Sequence, residues 1–189
     1  MKKILWAAIL LMILSGCSGK DASQSFIDIR SVYLAADITL FADVKADYGD
    51  RCYEYSLGYT GDGKSGEVSI FSPEEICGIS ASIDDNKNVS LKCGDVIIDT
   101  GILYGTGVTP LETLPLIVNA IREGYVSSVY LEKLKETEYI VAEIDETPAG
   151  ESEKIIYTLW FSADDKALYK AEISAGGFTS VTAVFREVQ

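Results

Sequence analysis

The sequence predicts an α+β fold: one large, strongly curved antiparallel sheet of about ten strands, with an N-terminal helix and a second helix covering its apolar side. Three observations carry this expectation. From Ile38 onward, apolar and polar residues alternate with a period of two in one segment after another. Short runs rich in Gly, Asp and Asn, the residues that turn hairpins, separate these segments. Only two stretches, near residues 23–36 and 109–124, space their apolar residues by three and four.

The chain opens with Met1-Lys2-Lys3. An uncharged run from Ile4 to Leu14 follows, then Ser15-Gly16 and Cys17. A basic start, a short apolar core and small residues before a cut describe a secretory signal. The core is shorter than the roughly 20 residues that a membrane-spanning helix needs. Leu14-Ser15-Gly16-Cys17 resembles the bacterial lipobox, in which the cysteine thiol takes a diacylglycerol and the peptide is cut before it. Residues 1–16 are therefore expected to be a signal peptide, with Cys17 as the lipidated N-terminus. Two acyl chains hold a protein on a bilayer durably. Residues 17–25 are small and polar and read as a flexible tether. The domain then runs over 26–189. The place this predicts is the extracytoplasmic face of the cell membrane.

Composition narrows the function classes. The net charge is −13 with the leader included, and the leader carries only lysines, so the mature part is more acidic still. A nucleic-acid partner calls for a basic patch instead. There is no histidine, which removes the commonest general base and metal ligand at neutral pH. Cys52, Cys77 and Cys93 remain after lipidation. An odd count outside the cell means one bridge with a thiol left over, an intermolecular bond, or no bridge.

Phe26, Ile29, Val32, Tyr33 and Ala36 make the N-terminal helix amphipathic, with Ser25 and Asp28 as its expected cap. Ile38 to Val44 and Tyr53 to Tyr59 alternate around Tyr48-Gly49-Asp50 as a hairpin. Tyr53, Tyr55, Leu57 and Tyr59 share one face of the second strand, and Cys52 lies on the other. Glu67 to Phe71 is a third strand. Pro73 and the acids after it suit one helical turn. The segments 77–83 and 89–93 form another hairpin around Asp84-Asp85-Asn86. Pairing Ala81 with Val89 puts Cys77 opposite Cys93, close enough for a disulfide. The alternative is two reduced cysteines packing as small apolar groups. Val96 to Asp99 is a further strand, and the glycines at 101, 105 and 107 do not match a P-loop. Thr109-Pro110-Leu111-Glu112 begins a helix with a capping box, and Gly124 stops it. Leu111, Leu114, Val118 and Ile121 form its apolar stripe, and Pro115 is expected to kink the helix or make it restart. Strands follow at 126–131, 139–144, 155–161, 168–173 and 178–188.

Without histidine there is no Ser-His or Cys-His couple. No cysteine pair has zinc-finger spacing. Asp84-Asp85 and Asp164-Asp165 read as solvated turn acids. The sequence thus points away from an enzyme and calls for no metal or cofactor. The covered apolar side of a curved sheet, rich in tyrosine, points to binding.

The order of elements carries a resemblance. The segments DITLFADV, YEYSLGY, IFSPEEICGISASI, LKCGDVIIDTGILYG and VTPLETLPLIVNAIREG, followed by a strand-rich half, resemble the LolA/LolB-like lipoprotein-carrier superfamily. They look closest to its LolA-like membrane lipoproteins of Gram-positive bacteria, including the GerS-type sporulation and germination lipoproteins. The resemblance implies a half-barrel with a lid helix on its concave side. In carriers that concavity receives acyl chains. Here it would be lined by Tyr53, Tyr55, Leu57, Tyr59, Ile79, Leu91, Leu111, Leu114, Val118 and Ile121. The expected ligand is a lipid or a lipoprotein acyl chain. The alternative is a filled scaffold that recruits an envelope or spore-cortex protein. A homodimer is a further option, because Cys52 faces outward if the tyrosines face inward.

Overall fold

The computed structural model describes residues 21–86, 88–102 and 109–188. Residues 1–20, which hold the expected signal peptide and Cys17, and the stretch 103–108 lie outside them. Helix α1 spans Ala22–Ala35. Strands β1 (Ile38–Asp47), β2 (Cys52–Gly61), β3 (Gly66–Ser72), β4 (Ile79–Ile83), β5 (Asn88–Cys93) and β6 (Val96–Ile102) follow, with a single 3-10 turn at Glu74–Ile76. Helix α2 (Pro110–Glu123) precedes β7 (Tyr125–Leu134), β8 (Thr137–Asp145), β9 (Ile155–Ser162), β10 (Leu168–Ala175) and β11 (Phe178–Val188). All eleven strands form one antiparallel sheet, in the order β6-β5-β4-β3-β2-β1-β11-β10-β9-β8-β7. The sheet is curved and unclosed, and both helices pack on its inner face, α2 against β1–β3 and α1 against β7–β8. This is the predicted class, with one strand more than expected.

Alternation explains the layers. Leu40, Ala42 and Val44 of β1, Leu57 and Tyr59 of β2, and Ala142, Ile144, Tyr157, Leu159 and Phe161 of β8–β9 point inward and are buried. They meet Leu114, Ile117, Val118 and Ile121 of α2 and Phe26, Ile29 and Tyr33 of α1 in one core. Tyr139, Val141 and Trp160 make a smaller cluster on the outer face, where the Trp160 indole donates to Glu132 at 2.7 Å.

The helix ends differ from expectation in instructive ways. Asp21, not Ser25, caps α1, its carboxylate accepting from the Ser23 amide at 3.0 Å. The helix therefore starts inside the stretch read as tether. Thr109 makes no capping hydrogen bond to the backbone. Its hydroxyl donates instead to the Glu112 carboxylate at 2.6 Å. Glu112 is buried at this end. Helix α2 runs unbroken through Pro115. The proline removes one main-chain donor, but the stripe on either side packs into the same core, and that burial holds the two sides in one helix. Gly124 ends α2 in extended rather than left-handed geometry. Glycine is needed there for space, since a Cβ would collide with Ile144, the Glu146 carboxylate and the Ala120 carbonyl.

Two arginines join the helices reciprocally. Arg30 of α1 donates to the carbonyls of Ile121 (2.6 Å) and Gly124 (2.9 Å) at the end of α2. Arg122 of α2 donates to the carbonyls of Leu34 (3.4 Å) and Ala36 (3.3 Å) at the end of α1. Each supplies a positive charge where a helix leaves its last carbonyls without intrahelical donors. The β2–β3 loop clamps α2 as well. Gly63, at φ +89°, lies against the Asn119 backbone with no room for a side chain, and Lys64 pairs with Glu123 at 2.6 Å.

Candidate functional site

The inner face is best followed in rows across paired strands. One row runs Leu40, Tyr59, Val68, Ala81, Leu91, Ile98. The next runs Ala42, Leu57, Ile70 and continues through Ile79 and Cys93 to Val96. In both rows the residues on β1–β3 are buried, Ala81 on β4 is still buried, Ile79 and Leu91 are partly buried, Cys93 is exposed, and Ile98 and Val96 are 55% and 57% exposed. The cause is coverage. Helix α2 lies across β1–β3, whereas β5 and β6 extend past it.

The ten residues expected to line one concavity therefore divide. Leu57, Tyr59, Leu114, Val118 and Ile121 are buried against one another and fill the space under α2. Tyr59 is also locked as a structural post: its hydroxyl donates to the Ser65 carbonyl (2.8 Å) and accepts from the Gly63 amide (2.7 Å), and burial pushes its pKa up to about 12. Tyr55, Ile79, Leu91 and Leu111 are partly buried at the margin of the core, and Tyr53 is exposed. So α2 plugs the inner face over β1–β3, α1 covers it over β7–β8, and the open part is the strip toward β6.

At the lower margin, Tyr53 stacks on Tyr55 (6.4 Å between ring centres, 24° between planes), and Tyr48 from the β1–β2 turn meets Tyr53 edge-on at 5.8 Å. Burial raises the pKa of the Tyr48 and Tyr55 phenols. Sequence reasoning missed Tyr48, because it sits in the turn and joins the ladder only through the hairpin's curl.

The expected Cys77–Cys93 bridge is corrected. The β4–β5 register places Cys93 opposite Ile79, Ala81 opposite Leu91 and Ile83 opposite Val89, two residues away from the expected pairing. Cys77 then falls before the strand, and Cys52, Cys77 and Cys93 are all free and exposed. Asp84 explains the wider turn. Its carboxylate accepts from the amides of Asn86 and Asn88 and from the Asn88 side chain, each at 2.9 Å, and the Asn88 hydrogen bonds hold its pKa below the ordinary carboxylate value. Asp165 likewise serves its turn, accepting from the Ala167 amide at 3.1 Å.

Among the described residues, no group of three or more Cys, Asp or Glu side chains is placed to hold a metal ion. No described helix is long and apolar enough to cross a membrane. A hollow of about 280 Å³ lies between α1 and the β9–β10 turn, lined by Ile29, Val32, Tyr33, Ile38 and Lys166. The buried Tyr33 hydroxyl beside it has no partner.

The fold and this open strip define the chain as an α+β half-barrel protein with its helices packed into the concavity. No family model matches the sequence, and no curated protein matches it. Solved structures match over most of the chain. A LolA superfamily protein of Nitrosomonas europaea is 11% identical, covering 88% of this chain and 92% of its own, with a TM-score of 0.46. The lipoprotein LppX of Mycobacterium tuberculosis is also 11% identical, covering 88% and 95%, with a TM-score of 0.45. A chain of the complex between the CwlD amidase and the GerS lipoprotein of Clostridioides difficile is 16% identical, covering 92% and 93%, with a TM-score of 0.39.

Proposed function

We propose that this chain is a membrane-tethered, non-enzymatic lipoprotein, anchored through Cys17 on the extracytoplasmic face, whose domain docks an envelope protein, such as a spore-cortex or germination protein. One observation carries the reading. The space under α2 is occupied by the protein's own Leu114, Ile117, Val118 and Ile121, all fully buried, while the uncovered apolar strip lies on β6, which among the described residues is an edge strand of the sheet. An acyl chain needs an enclosed apolar cleft that hides most of its surface. An open strip beside a strand edge suits a protein surface better.

A second reading keeps the acyl-chain ligand and moves it to the hollow beside Tyr33. The apolar walls of that hollow and the unpaired hydroxyl favour it. Native mass spectrometry of the full-length protein released from detergent separates the two. The docking reading expects one mass, that of the chain from Cys17 plus its own diacylglycerol. An additional stoichiometric acyl ligand would overturn it in favour of the second reading.

A further inference from the structure

β6 is an edge of the sheet, and among the described residues it pairs only with β5. Natural sheets blunt such edges with lysine, proline, a bulge or a covering helix. The opposite edge follows this rule, since Ser23, Phe26, Ile27 and Arg30 of α1 flank Val126 to Val129 of β7. β6 does not follow it over its first residues. Val96, Ile97 and Ile98 are 57%, 68% and 55% exposed, three consecutive aliphatic residues on both faces of one strand. The pairing with β5 stays regular from Val96 to Asp99 and shifts register only beyond it, so the flat edge is short and complete.

The side chains around this edge are sorted by face. Val96 and Ile98 point inward, in line with Leu91. Ile97 points outward, between Asp95 and Asp99 in the sequence, and Asp99 also accepts from the Ser90 hydroxyl at 2.6 Å. We propose that β6 accepts an extended strand of a partner protein, one that alternates apolar residues over Val96 and Ile98 with Lys or Arg over Asp95 and Asp99. Backbone pairing supplies the affinity and the alternate side chains supply the choice of partner. Charge argues against a second copy of this chain. Antiparallel self-pairing centred on Ile97 brings Asp95, in the turn that leads into β6, to the end of the ladder beside the second copy's Asp99, and like charges held together there oppose it. The chain as a whole is strongly acidic, which adds to the same preference.

This inference rests on the docking reading and names the edge and the chemistry of its partner. The test uses the full-length protein in detergent and a short peptide alternating lysine and valine, with its glutamate-valine counterpart as control. The basic peptide is expected to bind about tenfold more tightly in fluorescence anisotropy, since two exposed charge pairs change from attraction to repulsion. Hydrogen exchange should slow at β6 amides when it binds. The double variant Asp95→Lys/Asp99→Lys, which alters only exposed acids and whose folding circular dichroism checks, should reverse the preference. Equal binding of the two peptides, unchanged exchange at β6, or a native preference retained in the double variant overturns the proposal. So does a protein that is already dimeric with its β6 amides protected before any peptide is added. Partner crosslinking elsewhere on the domain would overturn strand addition and leave the docking reading standing. A stoichiometric lipid in the native mass would remove the docking reading itself.

Discussion

Replacing Arg30 with alanine should cost the domain about 2–4 kcal/mol. The guanidinium is partly buried and donates to two main-chain carbonyls at the end of α2, at 2.6 and 2.9 Å. Hydrogen bonds from a charged group contribute about 1.5–3 kcal/mol each in favourable cases, and these two share one side chain, so their sum is not additive. The cation also lies 5.2 Å from the centre of the Phe26 ring, worth about 0.5–1 kcal/mol at a partly exposed site. Truncation leaves the Ile121 and Gly124 carbonyls without this partner and removes the positive charge from the end of the α2 dipole. For a domain of this size each kcal/mol moves the melting temperature by about 2–4 °C, so Arg30→Ala should melt about 5–15 °C lower. The assay is thermal unfolding followed by circular dichroism, with Arg30→Lys alongside. Lysine carries the charge on a single point and cannot fork to both carbonyls, so it should recover no more than about half of the loss. A melting temperature within about 1 °C of the parent for Arg30→Ala would refute the idea that this arginine holds α1 onto α2.

Leu114→Ala should cost about 2–5 kcal/mol in urea unfolding, because the residue is fully buried on the sheet-facing side of α2. Ile98→Ala, an equally apolar truncation on the open strip, should stay within about 0.5 kcal/mol; comparable losses at the two sites would contradict the division of the inner face into plug and open strip. The Arg186 hydrogen bond, with help from Ser56, lowers the pKa of the Asp43 carboxyl. Its contribution is therefore present above the ordinary value of about 3.9 and is lost as pH falls below it. Parent and Arg186→Ala should differ slightly in denaturation midpoint at pH 7 and converge by about pH 2, and a gap that widens on acidification would show the sign to be wrong. Alkylation without denaturant should label three thiols per chain, at Cys52, Cys77 and Cys93, and a mass showing only one labelled site would restore a bridge.

The strands were legible because a sheet with one face toward the core writes that face into every second residue. The same property hid the β4–β5 register. A slip by two residues leaves every side chain on its own face, so alternation cannot tell the pairing of Cys77 with Cys93 from that of Ile79 with Cys93. Only the turn decides, and there Asp84 gathers the amides of Asn86 and Asn88 and carries the loop two residues further than Asp84-Asp85-Asn86 suggested. The apolar stripe of α2 was equally plain, yet a stripe reads the same whether its helix covers a cavity or fills one. The answer depends on how far β5 and β6 run beyond the helix, which is a matter of sheet geometry. For the same reason Tyr53 and Tyr59, alike in sequence, end as an exposed ring and a buried post.

The strand order carries a consequence for how the chain comes together. The sheet is two meanders, β1 to β6 and β7 to β11, and their seam is the pairing of the first strand with the last. Val44 meets Ala183 and Ala46 meets Val181 across that seam, at the middle of the core. Until Phe178–Val188 has been made, β1 has no strand on its second side, and the N-terminal meander is tied to the other through the α2 segment and the packing of α1 on β7–β8. Pairings this distant in sequence form late and slowly. A nascent chain short of its final strand is thus two open half-sheets with apolar faces, and the C-terminal segment acts as the keystone. Losing β6 would cost one hairpin arm at the rim, whereas losing β11 would part the molecule down its centre.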